Sequence, residues 1–252
     1  MPGYRIKHER VAVRDAADLH IRSLLDRQQF ADPLGDALAQ GISSASWPLF
    51  GLIWPSALQL AALMAVHPLR AGERILEIGC GLALASLVAH RRGADVTASD
   101  CHPLAAAFLD ENLRLNALAP LPYRHGRWAA GARVAPPIPL QAVQGQYDLV
   151  MGSDLLYERD ESGAMAEFIA THCAPDARVC IVDPDRGNRA GFNRRMAALG
   201  FLVQETPIRT PATTGSAPFK GRLLSYRRAP AAHRIQPQRP PSSVTLSGLA
   251  SR

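Results

Sequence analysis

The segment ILEIGCGLALASL, residues 75–87, decides the fold because it begins as an apolar strand, turns at two glycines and continues as a helix. Gly79 and Gly81 leave the backbone bare, and a sharp turn after a buried strand needs that bareness. It also lets main-chain N–H groups approach a ligand that a Cβ atom would push away. Glu77 places a carboxylate just before the turn. The segment predicts a ligand-binding turn between strand and helix or, as the alternative, a tight turn that binds nothing.

Around this segment, short apolar runs alternate with helical patterns from Leu69 to Arg228. Apolar residues recur at helical spacing after Pro103, from Met165 and from Phe192. Such alternation is typical of a parallel sheet with crossover helices. We therefore predict an α/β fold: a Rossmann-like, doubly wound, mostly parallel seven-stranded sheet with helices on both faces, whose last two strands could form a hairpin. The predicted strands are RILEI (74–78), ADVTAS (94–99), LPYRHG (121–126), YDLVMG (147–152), RVCIVD (178–183), FLVQET (201–206) and GRLLSY (221–226).

Composition divides the chain into three segments. Residues 1–46 are predicted to form an N-terminal cap, with RIKHERVAVRD extended and HIRSLLDRQQF (20–30) helical. Residues 47–228 carry the alternating pattern and form the predicted main domain, interrupted by a proline-rich surface loop, ARVAPPIPLQAVQGQ (132–146). Residues 229–252 are rich in proline, serine and arginine without a hydrophobic period, so we predict a disordered basic tail.

Charge is distributed unevenly along the 252 residues. The net charge is +6, yet residues 1–185 hold 16 Lys+Arg against 21 Asp+Glu, whereas residues 186–252 hold 12 against 1. A basic stretch of this kind can attract nucleic acid or an acidic protein surface. Its arginines are dispersed, few aromatic residues accompany them and no nucleic-acid-binding module is recognisable. A solvated face is therefore the favoured interpretation, and nucleic acid is not an expected partner.

The bulk sequence favours a cytoplasmic protein. No uninterrupted apolar run reaches the roughly 18 residues of a membrane span, and the N-terminus lacks the apolar segment of a secretory signal. The four cysteines are scattered and form no CxxC pair, which favours reduced thiols. Cys101 and His102 are adjacent, but one pair does not supply the three or four ligands of a zinc site. We expect neither a membrane contact nor a metal.

An acidic residue at the end of the next predicted strand indicates the kind of ligand. Asp100 follows Gly81 by 19 residues and can accept hydrogen bonds from both hydroxyls of a ribose. A nicotinamide dinucleotide fits poorly, because Leu84 stands where its fingerprint has a third small residue and Glu77 would repel a pyrophosphate. A cofactor with a cationic amino acid end and no phosphate fits better. S-adenosylmethionine is such a molecule.

At these residues the chain resembles a known family. LEIGCGLALASL, the acid of VTASD and YDLVMGSDLLYER are similar to motifs of class I, seven-β-strand S-adenosylmethionine-dependent methyltransferases. WPSA upstream and DLLY downstream resemble the protein-lysine methyltransferase branch, whose marker is Asp-x-x-Tyr after the fourth strand. The resemblance extends from Trp47 to Phe201. It implies that the chain is a methyltransferase.

The resemblance also implies which residues hold the cofactor. Glu77, Gly79 and Gly81 would form the turn under its methionine part, and Asp100 would hold the ribose diol. Trp54 and Trp128 would line the cofactor pocket, Trp128 beside the adenine, although both also suit a protein core. Many relatives have an acid immediately before the second tryptophan. Here that residue is an arginine, which cannot accept a hydrogen bond from the adenine amino group.

The same resemblance assigns the acceptor side to Asp154 and Tyr157. Asp154 would orient the incoming amine and relay its proton to water, and Tyr157 would close the wall of the site. The alternative is that this segment merely caps and packs the next helix. Farther along, Asp183, Asp185 and Arg186 lie at the end of the fifth strand of the predicted sheet, where they either border the substrate or form a turn.

The predicted function is transfer of a methyl group from S-adenosylmethionine to a nitrogen nucleophile, in the first place a lysine side chain of another protein. Two alternatives stay open: a small-molecule N-methyltransferase, and a noncatalytic protein that keeps the fold and binds a partner through its basic C-terminal third. The sequence does not identify the acceptor, since only the folded surface selects it.

Overall fold

The computed structural model describes residues 4–126, 128, 141–158, 162–212 and 217–228. The predicted tail and most of the predicted proline-rich loop lie outside these residues. The strands are β1 (Ile6–Val11), β2 (Leu19–Leu24), β3 (Arg74–Ile78), β4 (Asp95–Asp100), β5 (Tyr123–His125), β6 (Tyr147–Ser153), β7 (Cys173–Asp183), β8 (Phe201–Thr210) and β9 (Phe219–Arg228). The helices are α1 (Asp36–Ala39), α2 (Pro55–Val66), α3 (Leu84–Arg91), α4 (Ala105–Leu115), α5 (Ala164–His172) and α6 (Arg189–Ala198).

Seven of these strands form one sheet in the order β5-β4-β3-β6-β7-β9-β8. Neighbouring strands from β5 to β7 are parallel, whereas β9 runs antiparallel to both β7 and β8. Every predicted strand is present, and the last two do form a hairpin. The predicted doubly wound, mostly parallel sheet is confirmed.

Helices cover both faces of the sheet and bury two apolar clusters. Ile75 of β3 belongs to the cluster under α2, α3 and α4, and Leu76 belongs to the cluster under α5 and α6. Successive side chains of a strand point to opposite faces, so one short apolar strand supplies both layers. This double burial explains why the strands read as continuous apolar runs.

The N-terminal region corrects one prediction. The segment 20–30, expected to be helical, contributes most of β2, which pairs antiparallel with β1 in a separate two-stranded sheet. Leu19, Ile21 and Leu24 are fully buried in the same cluster as α4. Leu19, Ile21 and the buried Ser23 follow the two-residue period of a strand, and the main-chain N–H of Arg22 donates to Oδ1 of Asn112 in α4 at 2.8 Å. The hairpin therefore shares its core with the large sheet.

The segment Ser44–Val66 meets the length and apolar composition of a membrane-spanning helix. In the fold it is divided into two 3-10 turns, Ser44–Ser46 and Leu49–Gly51, and the 12-residue helix α2. A helix of that length extends about 18 Å. Leu60 and Ala61 of α2 are fully buried against the sheet.

Candidate active site

One cleft brings together most of the side chains that the sequence predicts to be functional. It has a volume of about 310 Å³ and lies at the carboxyl ends of β3, β4 and β6. The ends of parallel strands meet at one edge of a sheet, so residues far apart in sequence become neighbours there. Of the predicted residues, Glu77 is missing from the wall. Those that line the cleft are Trp54, Gly79, Gly81, Asp100, Trp128, Asp154 and Tyr157.

The two glycines shape the floor of the cleft. Gly79 and Gly81 have φ angles of +56° and +52°, in the left-handed region that disfavours other residues. A Cβ atom at position 81 would lie 2.8 Å from the main-chain oxygen of Phe50. One at position 79 would lie 2.5 Å from Cδ2 of Leu155. Both backbone conformations favour glycine, and position 81 also lacks space for a Cβ atom because a main-chain oxygen lies against it.

The Asp100 carboxylate is turned toward this bend. Its Oδ2 accepts a hydrogen bond from the Gly81 N–H at 2.8 Å, and its Oδ1 accepts one from the His102 N–H at 2.8 Å. Burial raises the pKa of Asp100, and the main-chain hydrogen bonds oppose that rise. Cys101 adds hydrogen bonds from its N–H and its thiol to the same carboxylate. Asp100 thus lies beside the glycine turn, and its contact with a ribose stays a prediction.

Glu77 is placed differently from the expectation. Its carboxylate, only 2% exposed, accepts hydrogen bonds from the Ser86 N–H at 2.8 Å and from the Ser86 hydroxyl. Because side chains alternate along a strand, Glu77 shares the face of Ile75 and points toward α3 rather than into the cleft. Burial raises its pKa to about 7, and the hydrogen bonds from Ser86 oppose the rise. Glu77 supports the glycine turn from beneath.

These hydrogen bonds indicate which ligand suits the cleft. Dinucleotides place their pyrophosphate on free N–H groups at a helix N-terminus. In α3 the Ser86 N–H is already bound by Glu77, and Asp100 adds a second carboxylate beside the turn. Negative charge beside the turn, mainly that of Asp100, repels a phosphate and attracts a cation. The carboxylates and the occupied N–H groups beside the turn therefore fit a cationic, phosphate-free nucleoside such as S-adenosylmethionine.

Both predicted tryptophans lie on the wall of the cleft. Trp54 directly precedes α2, and its Nε1 donates to a main-chain oxygen of the preceding 3-10 turn at 2.9 Å. Trp128 packs against Phe168 with ring centroids 5.7 Å apart. Its Cη2 atom lies 3.5 Å from the position of a Cβ atom at Gly79. Each ring is thus held by the protein and also borders the cleft. Arg127, the predicted departure from the family pattern, lies outside the described residues.

The acceptor side of the cleft follows β6. Asp154 has a φ of +53°, and its N–H donates to the main-chain oxygen of Val182 at 2.9 Å. Its Oδ1 accepts a hydrogen bond from Nε of Arg186 at 2.6 Å. The Asp154 side chain is 10% exposed, whereas Tyr157 is 46% exposed. The backbone and an arginine therefore hold the carboxylate, while the tyrosine faces the open mouth.

Asp183, the last residue of β7, and the following Asp185 and Arg186 have different environments. Asp183 is fully buried, and its Oδ1 accepts a hydrogen bond from the Arg186 N–H at 2.7 Å. Asp185 forms ion pairs with Arg189 and Arg222. Arg186 alone of the three lines the cleft. The sequence gives no sign of its pairing with Asp154, because the partners are 32 residues apart.

Two further residues of the wall were not predicted. Phe50 stacks on His102, with ring centroids 3.7 Å apart and planes inclined by 12°, and both line the cleft. Burial lowers the pKa of His102 to about 3, so its ring is neutral near pH 7. No motif marks Phe50, since its role depends on the folded approach of its main chain to Gly81. Within the described residues, no group of three or more His, Cys, Asp or Glu side chains could hold a metal ion.

A family model for lysine methyltransferases matches residues 49–191 of the chain. The electron transfer flavoprotein beta subunit lysine methyltransferase of Danio rerio is 29% identical over 152 residues, which cover 59% of this chain and 54% of that protein. The protein N-lysine methyltransferase METTL21A of Danio rerio is 26% identical over 172 residues, 64% of this chain and 74% of that protein. The chain thus spans about half the length of the first relative.

Solved structures resemble the fold. A methyltransferase from Pyrococcus furiosus superimposes with a TM-score of 0.51 at 20% sequence identity, covering 77% of this chain and 99% of that one. This likeness extends to the architecture of the sheet and its helices.

Proposed function

This chain belongs to the lysine methyltransferase family, and from that premise we propose that it transfers a methyl group from S-adenosylmethionine to a lysine side chain of another protein. One observation carries the proposal: Asp100, facing the glycine turn, and Asp154, at the end of β6, line the same cleft. One acid suits a ribose and the other suits an amine. The two reactants would therefore be held next to each other.

The donor side would be held by residues already oriented toward it. Asp100 would accept hydrogen bonds from the ribose diol, and the turn from Gly79 to Gly81 would border the methionine part. Trp54 and Trp128 would enclose the remaining apolar surface. Main-chain hydrogen bonds fix the carboxylate before any ligand binds, which reduces the entropy lost on binding.

When bound, S-adenosylmethionine supplies a methyl group on a positively charged sulfur, so that the amine lone pair forms the N–C bond while the C–S bond breaks and its electron pair stays on sulfur. Asp154 would accept a hydrogen bond from the amine and so aim its lone pair. The surplus proton of the methylated amine would leave to water. Tyr157 would limit the tilt of the lysine. Positioning of this kind can supply a large part of a rate enhancement.

The open acceptor side supports a protein substrate over a small molecule. Tyr157 is 46% exposed and the Arg186 side chain 37% exposed, so solvent reaches this end of the cleft. A long lysine side chain from another protein can enter such a mouth, whereas small metabolites are usually enclosed. An exposed rim also leaves surface around the lysine for contacts with its own protein.

The alternative of a noncatalytic binding protein gains little from the basic C-terminal third. Arg189 and Arg222 both form ion pairs with Glu205, and the Arg228 guanidinium donates to main-chain oxygens. These cations are partly used within the fold. Their arrangement supports a structural role over an anion-binding surface.

Calorimetry with S-adenosylmethionine tests the donor site first. We expect saturable binding with one molecule per chain. Failure of the folded protein to bind it would remove both the protein and the small-molecule methyltransferase interpretations. Cytoplasmic location is a separate prediction, which imaging of the tagged full chain tests.

The acceptor is identified by labelling native lysate with the purified protein and a methyl-labelled donor. Mass spectrometry should locate the label on lysine side chains of one or a few proteins. The matched control is the Asp154→Asn variant in the same lysate, which should leave those products unlabelled. Label found only in small molecules would instead support the metabolite alternative.

A further inference from the structure

The acceptor side contains a cation of its own. Nε of Arg186 donates to Oδ1 of Asp154 at 2.6 Å, and both side chains line the cleft. Among the described residues, Oδ2 of Asp154 accepts no hydrogen bond. The carboxylate predicted to receive the acceptor amine therefore has one oxygen on an arginine and one oxygen for another donor.

Both partners of this ion pair are fixed by the backbone of the strand ends. Asp154 donates its N–H to the main-chain oxygen of Val182, the penultimate residue of β7, at 2.9 Å. The Arg186 N–H donates to the fully buried Asp183 carboxylate at 2.7 Å. Hydrogen bonding to Asp154 raises the pKa of Arg186, so the guanidinium stays charged. The pair is thus a built part of the cleft wall.

The charge of the acceptor site matters because only an uncharged amine has a lone pair for methyl transfer. A lysine amine has an ordinary pKa of about 10.4, and a nearby carboxylate raises the pKa of such an amine by about 1–3 units. An isolated Asp154 would therefore hold the unreactive ammonium form. A carboxylate neutralised by arginine still accepts a hydrogen bond from an amine, with much less attraction for its proton.

We propose that Arg186 is a positioning residue that compensates the charge of Asp154, so that this carboxylate orients an uncharged lysine amine instead of trapping an ammonium ion. The inference rests on the proposed function. The inference adds to that function a reason why Asp154 can orient the amine and still leave it uncharged.

The other charged and titratable groups around Asp154 are predominantly acidic or weakly acidic. Arg27 also lines the cleft, and no hydrogen bond joins it to Asp154 within the part of the chain that the structure describes. Loss of Arg186 would therefore leave the acid without its hydrogen-bonded cation. Besides Arg27 and Arg186, the titratable groups facing this region are Cys80, Asp100, Cys101, His102, Tyr157, Glu158 and Asp183.

The test uses n-butylamine, which has the end of a lysine side chain, with the full-length protein saturated by S-adenosylhomocysteine so that no turnover occurs. Ligand-observed NMR measures the affinity between pH 7 and pH 9. For the unmodified protein we expect affinity to rise about tenfold per pH unit, in step with the neutral fraction of the amine. For Arg186→Gln we expect at least about tenfold tighter binding at pH 7 and little dependence on pH.

Three variants keep the test specific. Arg186→Lys retains the charge and should restore most of the pH dependence. Arg194→Gln removes an exposed arginine from α6, outside the cleft, and should behave like the unmodified protein. In an Asp154→Asn background, Arg186→Gln should no longer strengthen binding at pH 7. Unchanged affinity for S-adenosylhomocysteine reports that each variant is folded.

The outcomes separate the two levels of inference. If the unmodified protein binds neither S-adenosylmethionine nor S-adenosylhomocysteine, the proposed function itself fails. Two results would overturn the role of Arg186 while the assignment of the S-adenosylmethionine site stands, provided that S-adenosylhomocysteine binds. In the first, the affinity of Arg186→Gln for n-butylamine keeps the pH dependence of the unmodified protein. In the second, neither the unmodified protein nor any variant binds n-butylamine at any pH.

Discussion

The two ends of the cleft are constructed differently. At the donor end, main-chain N–H groups hold Asp100, which is 6% exposed, and the turn at Gly79 and Gly81 leaves no room for side chains. At the acceptor end, a side-chain ion pair holds Asp154, and Tyr157 is 46% exposed. Main chain closes the donor end, whereas at the acceptor end only Oδ1 of Asp154 accepts a hydrogen bond from Arg186, and Oδ2 accepts none among the described residues.

This difference matches the proposed roles of the two ends. A donor with one fixed chemical structure suits a rigid, preformed site. A lysine carried by a large protein requires an opening and a hydrogen-bond acceptor that is still available to its amine. Substitutions at the two ends should therefore have different consequences, which the following experiments measure from the largest expected effect to the smallest.

Asp154→Asn should have the largest effect, and it should act on the acceptor end alone. Loss of the carboxylate removes the group that orients the amine, so turnover should fall on the order of 100-fold. Affinity for S-adenosylmethionine should change by less than about threefold, because donor and acceptor contacts are separate. Radiolabel transfer and calorimetry measure the two quantities. Equal losses of turnover and donor affinity would contradict the division into two ends.

Gly81→Ala should lower both the stability of the fold and the affinity for S-adenosylmethionine, because it strains the turn at the donor end. A left-handed alanine costs about 1–2 kcal/mol, and overpacking against the Phe50 main chain adds about 1–3 kcal/mol. Gly72→Ala is the matched control, since Gly72 has a φ of +74° with nothing within 4 Å of an added Cβ atom. Urea unfolding should show a larger loss for Gly81→Ala, and only this variant should lose donor affinity. Similar losses in both variants would show that the close approach at Phe50 is unimportant.

Glu77→Gln should change how the stability of the donor end depends on pH. Burial raises the Glu77 pKa from 4.5 to about 7, so the folded state binds a proton more tightly than the unfolded state. The resulting stability is complete below pH 4.5 and is lost as the pH rises through 7, a difference of up to about 3 kcal/mol. The glutamine variant should lack this loss.

Unfolding by urea at pH 5 and pH 8.5 makes that comparison. We expect the unmodified protein to lose stability relative to Glu77→Gln at the higher pH. A constant difference between the two proteins across this range would mean that Glu77 is not desolvated as described.

Tyr123→Phe at the donor end and Tyr157→Phe at the acceptor end should give the smallest effects. Together they compare how much one hydroxyl group contributes to stability and to turnover at each end. The Tyr123 hydroxyl donates to the main-chain oxygen of Asp100 at 3.0 Å, so its loss should cost about 1 kcal/mol of stability. The Tyr157 hydroxyl has no hydrogen bond among the described residues and is expected to affect turnover by less than about fivefold. Thermal unfolding and methyl-transfer rates test this. A larger stability loss from Tyr157→Phe would reverse the comparison.

Local pattern was sufficient to predict the sheet but not the N-terminal hairpin. Most strands of the sheet contain a short apolar run, and the central strands β3 and β6 are buried on both faces, a signal that needs no partner to be recognised. Segment 20–30 contains enough helix-forming residues to suggest a helix. It becomes largely a strand because Leu19, Ile21 and Leu24 are buried in the core that they share with α4, and no local preference reveals that packing.

The predicted site residues divide in a similar way. Glycines and acids at strand ends were located by sequence because parallel strands bring their carboxyl ends to one edge. Glu77 lies outside the cleft wall because strand alternation places it on the face of Ile75, and the helix that covers this face is known only from the fold. Arg186 was recognised as a rim residue, yet its pairing with Asp154 depends on two strand ends meeting.

The sequence by itself determined the strand periodicity, the bare turn and the acids that follow the strands, since these depend on residues close together in the chain. Only the tertiary structure decided which acid enters the cleft, which acid supports the turn from beneath and which acid is paired with arginine. The physical reason is distance: burial and charge pairing arise between groups many residues apart, and packing brings them together.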